Sequence, residues 1–257
     1  MAKQNITLCI VCVLVAAYLA VATGFVNRQR QRIYCRAIDV VICDSDKNRF
    51  VDATGVRRMV ENENPPLLGT PLDRINTQLI EAHLNAKSAV KSTQAYTTLD
   101  GVLHVRVYQR RPVVRVLAGG GSFYIDDTGY VFPFSHAYTA YVPVVTGAVG
   151  AAVTSGYTGP IPERDTLLQQ LYAFARFLDR HTFWRSQVLQ VHVRNAHNIE
   201  LIPRVGNHLI ALGPFDDYEY KLKKLYTFYR EALPREGWER FSRFDLRYGN
   251  QIVATKN

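Results

Sequence analysis

The run VLHVRVYQRRPVVRV, residues 102–116, sets two strands end to end across a single break. Leu103, Val105 and Val107 alternate with His104, Arg106 and Tyr108, the two-residue period of a strand with one face in a core. Arg111-Pro112 interrupts that period. Proline has no backbone N–H and drives the residue before it toward extended conformations, so the chain crosses 110–113 as strand or tight linker and not as helix. Val113–Val116 then starts a second strand on β-branched residues. The chain therefore divides into 34–110 and 111–257.

Working back from the break, Asp100-Gly101 is a strong hairpin turn, which pairs the 102–109 strand with the one before it. Ahead of that lies a helix with Thr70 as N-cap, Pro71 in the first helical position and Asp73 in the first turn. Leu72, Ile75, Leu79 and Ala82 follow at helical spacing, and Asn85 ends it. A shorter helix, capped by Asp52, carries Val56, Met59 and Val60. Tyr34–Ile42 is a strand, with Ile38, Val40 and Ile42 alternating. The order over 34–110 is strand-helix-helix-strand-strand.

Beyond Pro112 the texture is mostly strand. Val113–Val116, Phe123–Ile125, Tyr130–Phe132 and Val142–Thr146 are short runs punctuated by glycine turns. Asp126-Asp127 reads as part of a turn rather than as a catalytic pair. Asp165–Arg180 is a helix with Leu168, Leu171, Tyr172, Ala175 and Leu178 on one face. Strands return at Gln187–Val193, Ile199–Pro203 and His208–Leu212. Asp217–Leu233 is a second helix, with Leu222, Leu225 and Tyr229 inward and Lys221, Lys223 and Lys224 as a solvated face. Arg243–Tyr248 and Gln251–Ala254 close the chain as strands. The class is α+β: a small first domain, then a larger mixed, mostly antiparallel β domain with two helices.

At the amino end, Asn5 to Val26 holds no charged side chain, which is enough apolar length to span a bilayer. The expected layout is a tail at 1–4, a transmembrane anchor at 5–26 and a tether at 27–33. Ala20-Val21-Ala22 also fits a signal-peptidase pattern, but the apolar run exceeds a signal h-region. Arg28, Arg30, Arg32 and Arg36 follow the span, so a charge count alone puts the carboxyl side in the cytoplasm. The net charge of +9 is spread along the chain and not gathered into a nucleic-acid-type cluster. Hydrophobic content of 47% supports a real core. Cys35 and Cys43, at opposite ends of one strand, are beyond disulfide reach. The seven His residues are scattered, the glycines at 119–121 lack the companions of a phosphate loop, and no Cys/His spacing suits zinc. The reading is of a non-enzyme without cofactor, metal, nucleic acid or small-molecule substrate.

Several segments in register resemble one family. Gly69-Thr70-Pro71-Leu72 with Ile75-Asn76 resembles the second helix of a POTRA domain. Tyr108 to Val116 resembles the Q-R-x-P-V-x-R-V junction of the bacterial cell-division FtsQ/DivIB family. Tyr124 to Gly129, Val142 to Gly147 and Phe244 to Val253 resemble its hairpin, its "lPvitG" segment and its closing strand pair, in a Bacteroides-like version. The resemblance implies a single-pass protein of the cytoplasmic (inner) membrane with its bulk exported to the periplasm. It also implies a divisome scaffold at the division septum that links early and late septal proteins through FtsB/FtsL-type partners. A final strand at a sheet edge can accept a partner strand by backbone pairing. Asn250–Thr255 is the expected edge, and Arg247, Tyr248, Asn250, Gln251, Ile252 and Val253 are the expected partner-binding residues. The alternative is a POTRA-bearing envelope export or assembly factor, although no series of ~10-residue alternating strands follows to build a barrel.

Overall fold

The computed structural model describes residues 11–24, 33–62, 66–119, 121–135, 138–149, 153–154 and 156–257. The chain divides into two compact units, Met1–Gln109 and Arg110–Asn257.

In the first unit, residues 11–24 form helix α1. At 1.5 Å per residue this stretch rises about 21 Å, less than the ~30 Å of a hydrocarbon core. Among the described residues no helix is long and apolar enough to cross a membrane. The tail at 1–4, the anchor residues 5–10 and 25–26, and 27–32 of the tether lie outside the described residues. Val13, Leu14 and Tyr18 on α1 are 68%, 63% and 72% exposed.

The rest of this unit runs β1 (Ala37–Ile42), α2 (Ala53–Asn62), α3 (Thr77–Asn85), β2 (Val90–Thr97) and β3 (Val102–Gln109). The sheet order is β1-β3-β2, with β1 parallel and β2 antiparallel to β3. Leu103, Val105 and Val107 are fully buried and pack with Ile38, Val56, Val60, Ile80 and Leu84. The Asp52 carboxylate accepts from Gly55 N at 2.8 Å and caps α2. Gly101 takes φ +85° in the β2–β3 turn. Buried Gln109 closes the 44–51 loop: its amide donates to Asp44 Oδ1 and Asn48 O, and its Oε1 accepts from Val51 N.

Two expectations change here. The strand starts at Ala37, since Tyr34 makes only an isolated bridge to Pro71. The second helix starts seven residues after Thr70. The Thr70 hydroxyl is spent on Pro66 O at 2.8 Å, and Leu72–Arg74 makes a single 3-10 turn. Ile75 is extended, and Asn76 caps α3 by accepting from Leu79 N. The restart shifts the phase, so Ile80 and Leu84 face the core while Leu79 is exposed.

The second unit contains β4 (Pro112–Ala118), β5 (Gly121–Asp126), β6 (Tyr130–Pro133), β7 (Val144–Gly147) and β8 (Gly159–Pro160). It continues with α4 (Thr166–Arg180), α5 (Thr182–Gln187), β9 (Val188–Asn195), β10 (Asn198–Pro203) and β11 (Leu209–Gly213). It ends with α6 (Tyr218–Glu231), α7 (Leu233–Glu236), β12 (Phe241–Asp245) and β13 (Val253–Lys256). One sheet of ten strands runs β13-β12-β11-β10-β9-β7-β4-β5-β6-β8. The pairs β4–β7, β7–β9 and β11–β12 are parallel and the others antiparallel. α4 and α6 supply Leu168, Leu171, Phe174, Leu178, Leu222, Leu225 and Tyr229 to its core. Among the described residues the unit has four α-helices instead of two. α5 and α7 are each under two turns, too short to show a period, and are held by buried Trp184 and Leu233.

Arginines at the head of β4 tie this unit together. Arg110 Nη1 donates to Asp126 Oδ2 at 2.8 Å, and its guanidinium lies 3.5 Å over the Tyr130 ring. Asp126 is fully buried at the β5–β6 turn, where its other oxygen accepts from Thr128 N, Thr128 Oγ1 and Tyr130 N. Burial alone would raise its carboxyl, yet these bonds hold it below the ordinary range. Arg111 grips Asp179 of α4 with two parallel bonds of 3.0 and 2.9 Å and reaches Asp127 at 3.3 Å.

His208 is buried among Tyr229, Trp238 and Phe244, with its Nε2 on the Tyr229 hydroxyl. Burial pushes its imidazole down from 6.5 to about 4.

Two outcomes follow for stability. Asp126→Ala takes the buried carboxylate away from Arg110 and strands two backbone donors, and should cost about 3–5 kcal/mol in a urea titration, the scale of breaking a buried pair. Between pH ~6.5 and ~4 the unfolded chain binds a proton at His208 that the folded chain refuses, so stability falls as pH drops through that window. Urea titrations of wild type and His208→Gln from pH 7 to 4 should differ in slope by about 3 kcal/mol in total. Parallel curves would show that His208 does not titrate this way.

Candidate functional site

The two ends of the ten-stranded sheet are built differently. At one end β8 is only Gly159–Pro160, and its proline has no N–H to offer an added strand. At the other end, among the described residues, β13 pairs only with β12, through Phe241–Lys256 and, past a register shift, Arg243–Thr255, Phe244–Ala254 and Asp245–Val253. Leu246 N donates to Ala211 O of β11, so the even residues of β12 address β11 and the odd ones address β13. Val253 and Thr255 thus spend their backbone groups on β12. Ala254 turns its groups outward, while Lys256 lies opposite Phe241 beyond a register shift and its carbonyl accepts from Ser242 Oγ at 3.5 Å. Asn257 N, which donates to Arg240 O, keeps the same parity.

The residues expected to bind a partner sit around this edge in different roles. Arg247 reaches back to its own strand, where Nε lies 2.9 Å from Asp245 Oδ1 and Nη2 bonds Oδ2. The bonds from Arg247 hold the Asp245 carboxyl below its usual range. Gly213, at φ +78°, lies beneath this fork, where a Cβ would come 2.8 Å from Arg247 Cγ. Tyr248 is 48% exposed. Asn250 and Gln251 are exposed and precede the strand. Ile252 packs with Ala254 on the core side, and Val253 opens β13 on the other face. The edge therefore runs Val253–Lys256, not Asn250–Thr255. The carbonyls of Tyr248, Gly249 and Gln251 are turned to the ammonium of Lys224.

The lysines of α6 are the residues sequence reasoning misplaced. Lys221 is buried and bonds Asp216 Oδ1 at 2.6 Å and Pro214 O at 3.2 Å, so it pins the start of the helix. Lys224 is half-buried on the 248–251 segment, and Lys223 is exposed. Helical spacing gives no sign of this division, because the partners lie on other segments.

The chemistry elsewhere is structural. His192 Nδ1 meets Thr146 Oγ1 at 2.9 Å within the sheet. An open cleft of about 560 Å³ beside α6 has aromatic walls, including Phe177, Trp184 and Tyr226, with Glu219 and Lys223 at its rim. Among the described residues no group of His, Cys, Asp or Glu is placed to hold a metal ion.

Residues 111–255 match the family model for FtsQ/DivIB, C-terminal related. The chain belongs to that family. Residues 33–108 match the POTRA-like domain model, in keeping with the strand-helix-helix-strand-strand order of the first unit. The cell division protein FtsQ of Rhodothermus marinus is 29% identical over 210 residues, which cover 80% of this chain and 73% of that protein. In this FtsQ/DivIB-related chain the matched region takes in both ends of the ten-stranded sheet, β8 and most of β13.

Proposed function

We propose that this chain is a membrane-anchored, non-enzymatic scaffold of bacterial cell division that receives a strand from an FtsB/FtsL-type partner at β13. The observation that carries the reading is the four-residue edge strand β13, with outward backbone groups at Ala254, in a chain of the FtsQ/DivIB-related family. Strand addition takes its affinity from main-chain hydrogen bonds and its specificity from the flanking side chains. Tyr248 and Val253 offer apolar area beside the edge, and Arg247, Asn250, Gln251 and Ile252 shape the approach. In this role the chain links early and late septal proteins and needs no cofactor.

The apolar run 5–26 serves as an uncleaved anchor in the cytoplasmic membrane. The exposed apolar side chains of α1 support it, since lipid covers such a surface. The tail is 1–4, the tether 27–33, the POTRA domain 34–110 and the β domain 111–257, with both domains on the periplasmic side at the septum. The alternative, a POTRA-bearing export or assembly factor, accounts for the match over 33–108 and leaves the one over 111–255 unexplained.

Ala254→Pro removes one outward N–H and leaves the bonds to β12 in place. Titrated as the full chain in detergent against the FtsB/FtsL-type proteins of its own cell, it should bind at least ~10-fold more weakly, a loss of about 1.4 kcal/mol. Its circular dichroism should not change. Tyr248→Ala should cost about 1–3 kcal/mol if the ring is buried by the partner. Full affinity in both variants rules out pairing at this edge.

A reporter fused after Asn257 should be active only outside the cytoplasm. A mature protein beginning at Thr23 would make the first segment a signal peptide instead.

A further inference from the structure

The turn between β12 and β13 spans seven residues, 246–252, where hairpin loops commonly need 2–5. A long connection leaves its strand poorly fixed, because more backbone entropy opposes closure. Beyond its ladder to β12, the far end of β13 is held by Ser242 Oγ, which donates to Thr255 O and Lys256 O at 3.4 and 3.5 Å, and by Asn257, which donates to Arg240 O and Glu239 O; its near end has no such bonds of its own among the described residues. The strand is four residues long, pairs on one side only, and three of its four residues are exposed.

Lys224 meets this deficit from α6. Its Nζ donates to Gly249 O at 2.6 Å, to Tyr248 O at 2.9 Å and to Gln251 O at 3.4 Å. An ammonium has three N–H donors, so all three are directed into one short stretch of backbone. The Tyr220 ring, one turn earlier on α6, lies 5.1 Å from the same nitrogen. Among the described residues the partners of Lys224 are these carbonyl dipoles and the ring. Each carbonyl it binds is turned toward α6, and regular pairing begins at Val253.

We propose that Lys224 is a positioning residue, a latch from α6 that fixes 248–251 and so sets where the open edge begins and keeps β13 on the sheet. Its bearing on partner binding rests on the strand-addition reading above. The latch itself does not, because it acts in the free chain.

The test is amide hydrogen exchange on the full chain in detergent with no partner present, comparing wild type, Lys224→Met and Lys223→Met. Methionine keeps the length and the apolar stem and loses the three donors. In Lys224→Met the amides of 246–257 that pair with β12 should exchange at least about tenfold faster, with β9, β10 and β11 unchanged. Lys223→Met, at the exposed neighbouring position and without these bonds, should match wild type. Wild-type protection of 246–257 in Lys224→Met overturns the latch and leaves edge pairing standing. A uniform rise across the whole unit also overturns it, because Lys224 would then support the fold at large. Full affinity in the Ala254→Pro titration would overturn strand addition and leave the exchange result untouched, so the two ideas fail separately.

Discussion

The second unit depends on what its first two residues grip. Arg110 and Arg111 stand at the head of β4, and three aspartates receive them: Asp126 and Asp127 at the β5–β6 turn, and Asp179 near the end of α4. β4 lies inside the sheet, with β7 on one side and β5 on the other. Fixing its head therefore fixes a hairpin and the covering helix together. The bonds differ in kind. Arg110–Asp126 is shielded from water, so its desolvation cost is met only by the full set of donors around Asp126. Arg111 is more exposed and relies on paired geometry with Asp179. The arginines before Pro112 thus have a local reason to be arginines, apart from any partner.

The core repeats this division between strong and weak attachment. Its middle is dense with aromatic contacts, among them Phe174, Phe215, Tyr229 and Phe244. Toward β13 the apolar cover thins to Ile252 and Ala254, both only partly buried. What remains there is polar: Asp245 with Arg247, and Lys224 with three carbonyls. Hydrogen bonds carry the local geometry where burial no longer does.

Much of this was readable in the residues, and the exceptions share a cause. Leu103, Val105 and Val107 showed their face by period alone, because a two-residue repeat needs no knowledge of the partner strand. Asp52 showed the cap of α2, since it acts on a backbone N–H three residues on. Thr70 misled because its hydroxyl serves Pro66 and its carbonyl serves Cys35 N, so it was not free to cap. α5 and α7 were too short for any period. At the site, the position of the last strand near the chain end was legible, and its starting residue was not. That residue is set by Lys224, which is 24 to 27 positions away in sequence from the carbonyls it binds. Lys221, Lys223 and Lys224 look alike in the sequence and hold three different jobs in the fold.

The proline at β8 has a consequence for number. A sheet with two receptive ends is a monomer of a fibre: each copy can pass the pairing on to the next. Here, among the described residues, one end is closed by Gly159–Pro160 and the other is open at β13. Any strand that joins, from another protein or from a second copy, occupies the single receptive end and leaves nothing for a third. Association by this route stops at one event per chain.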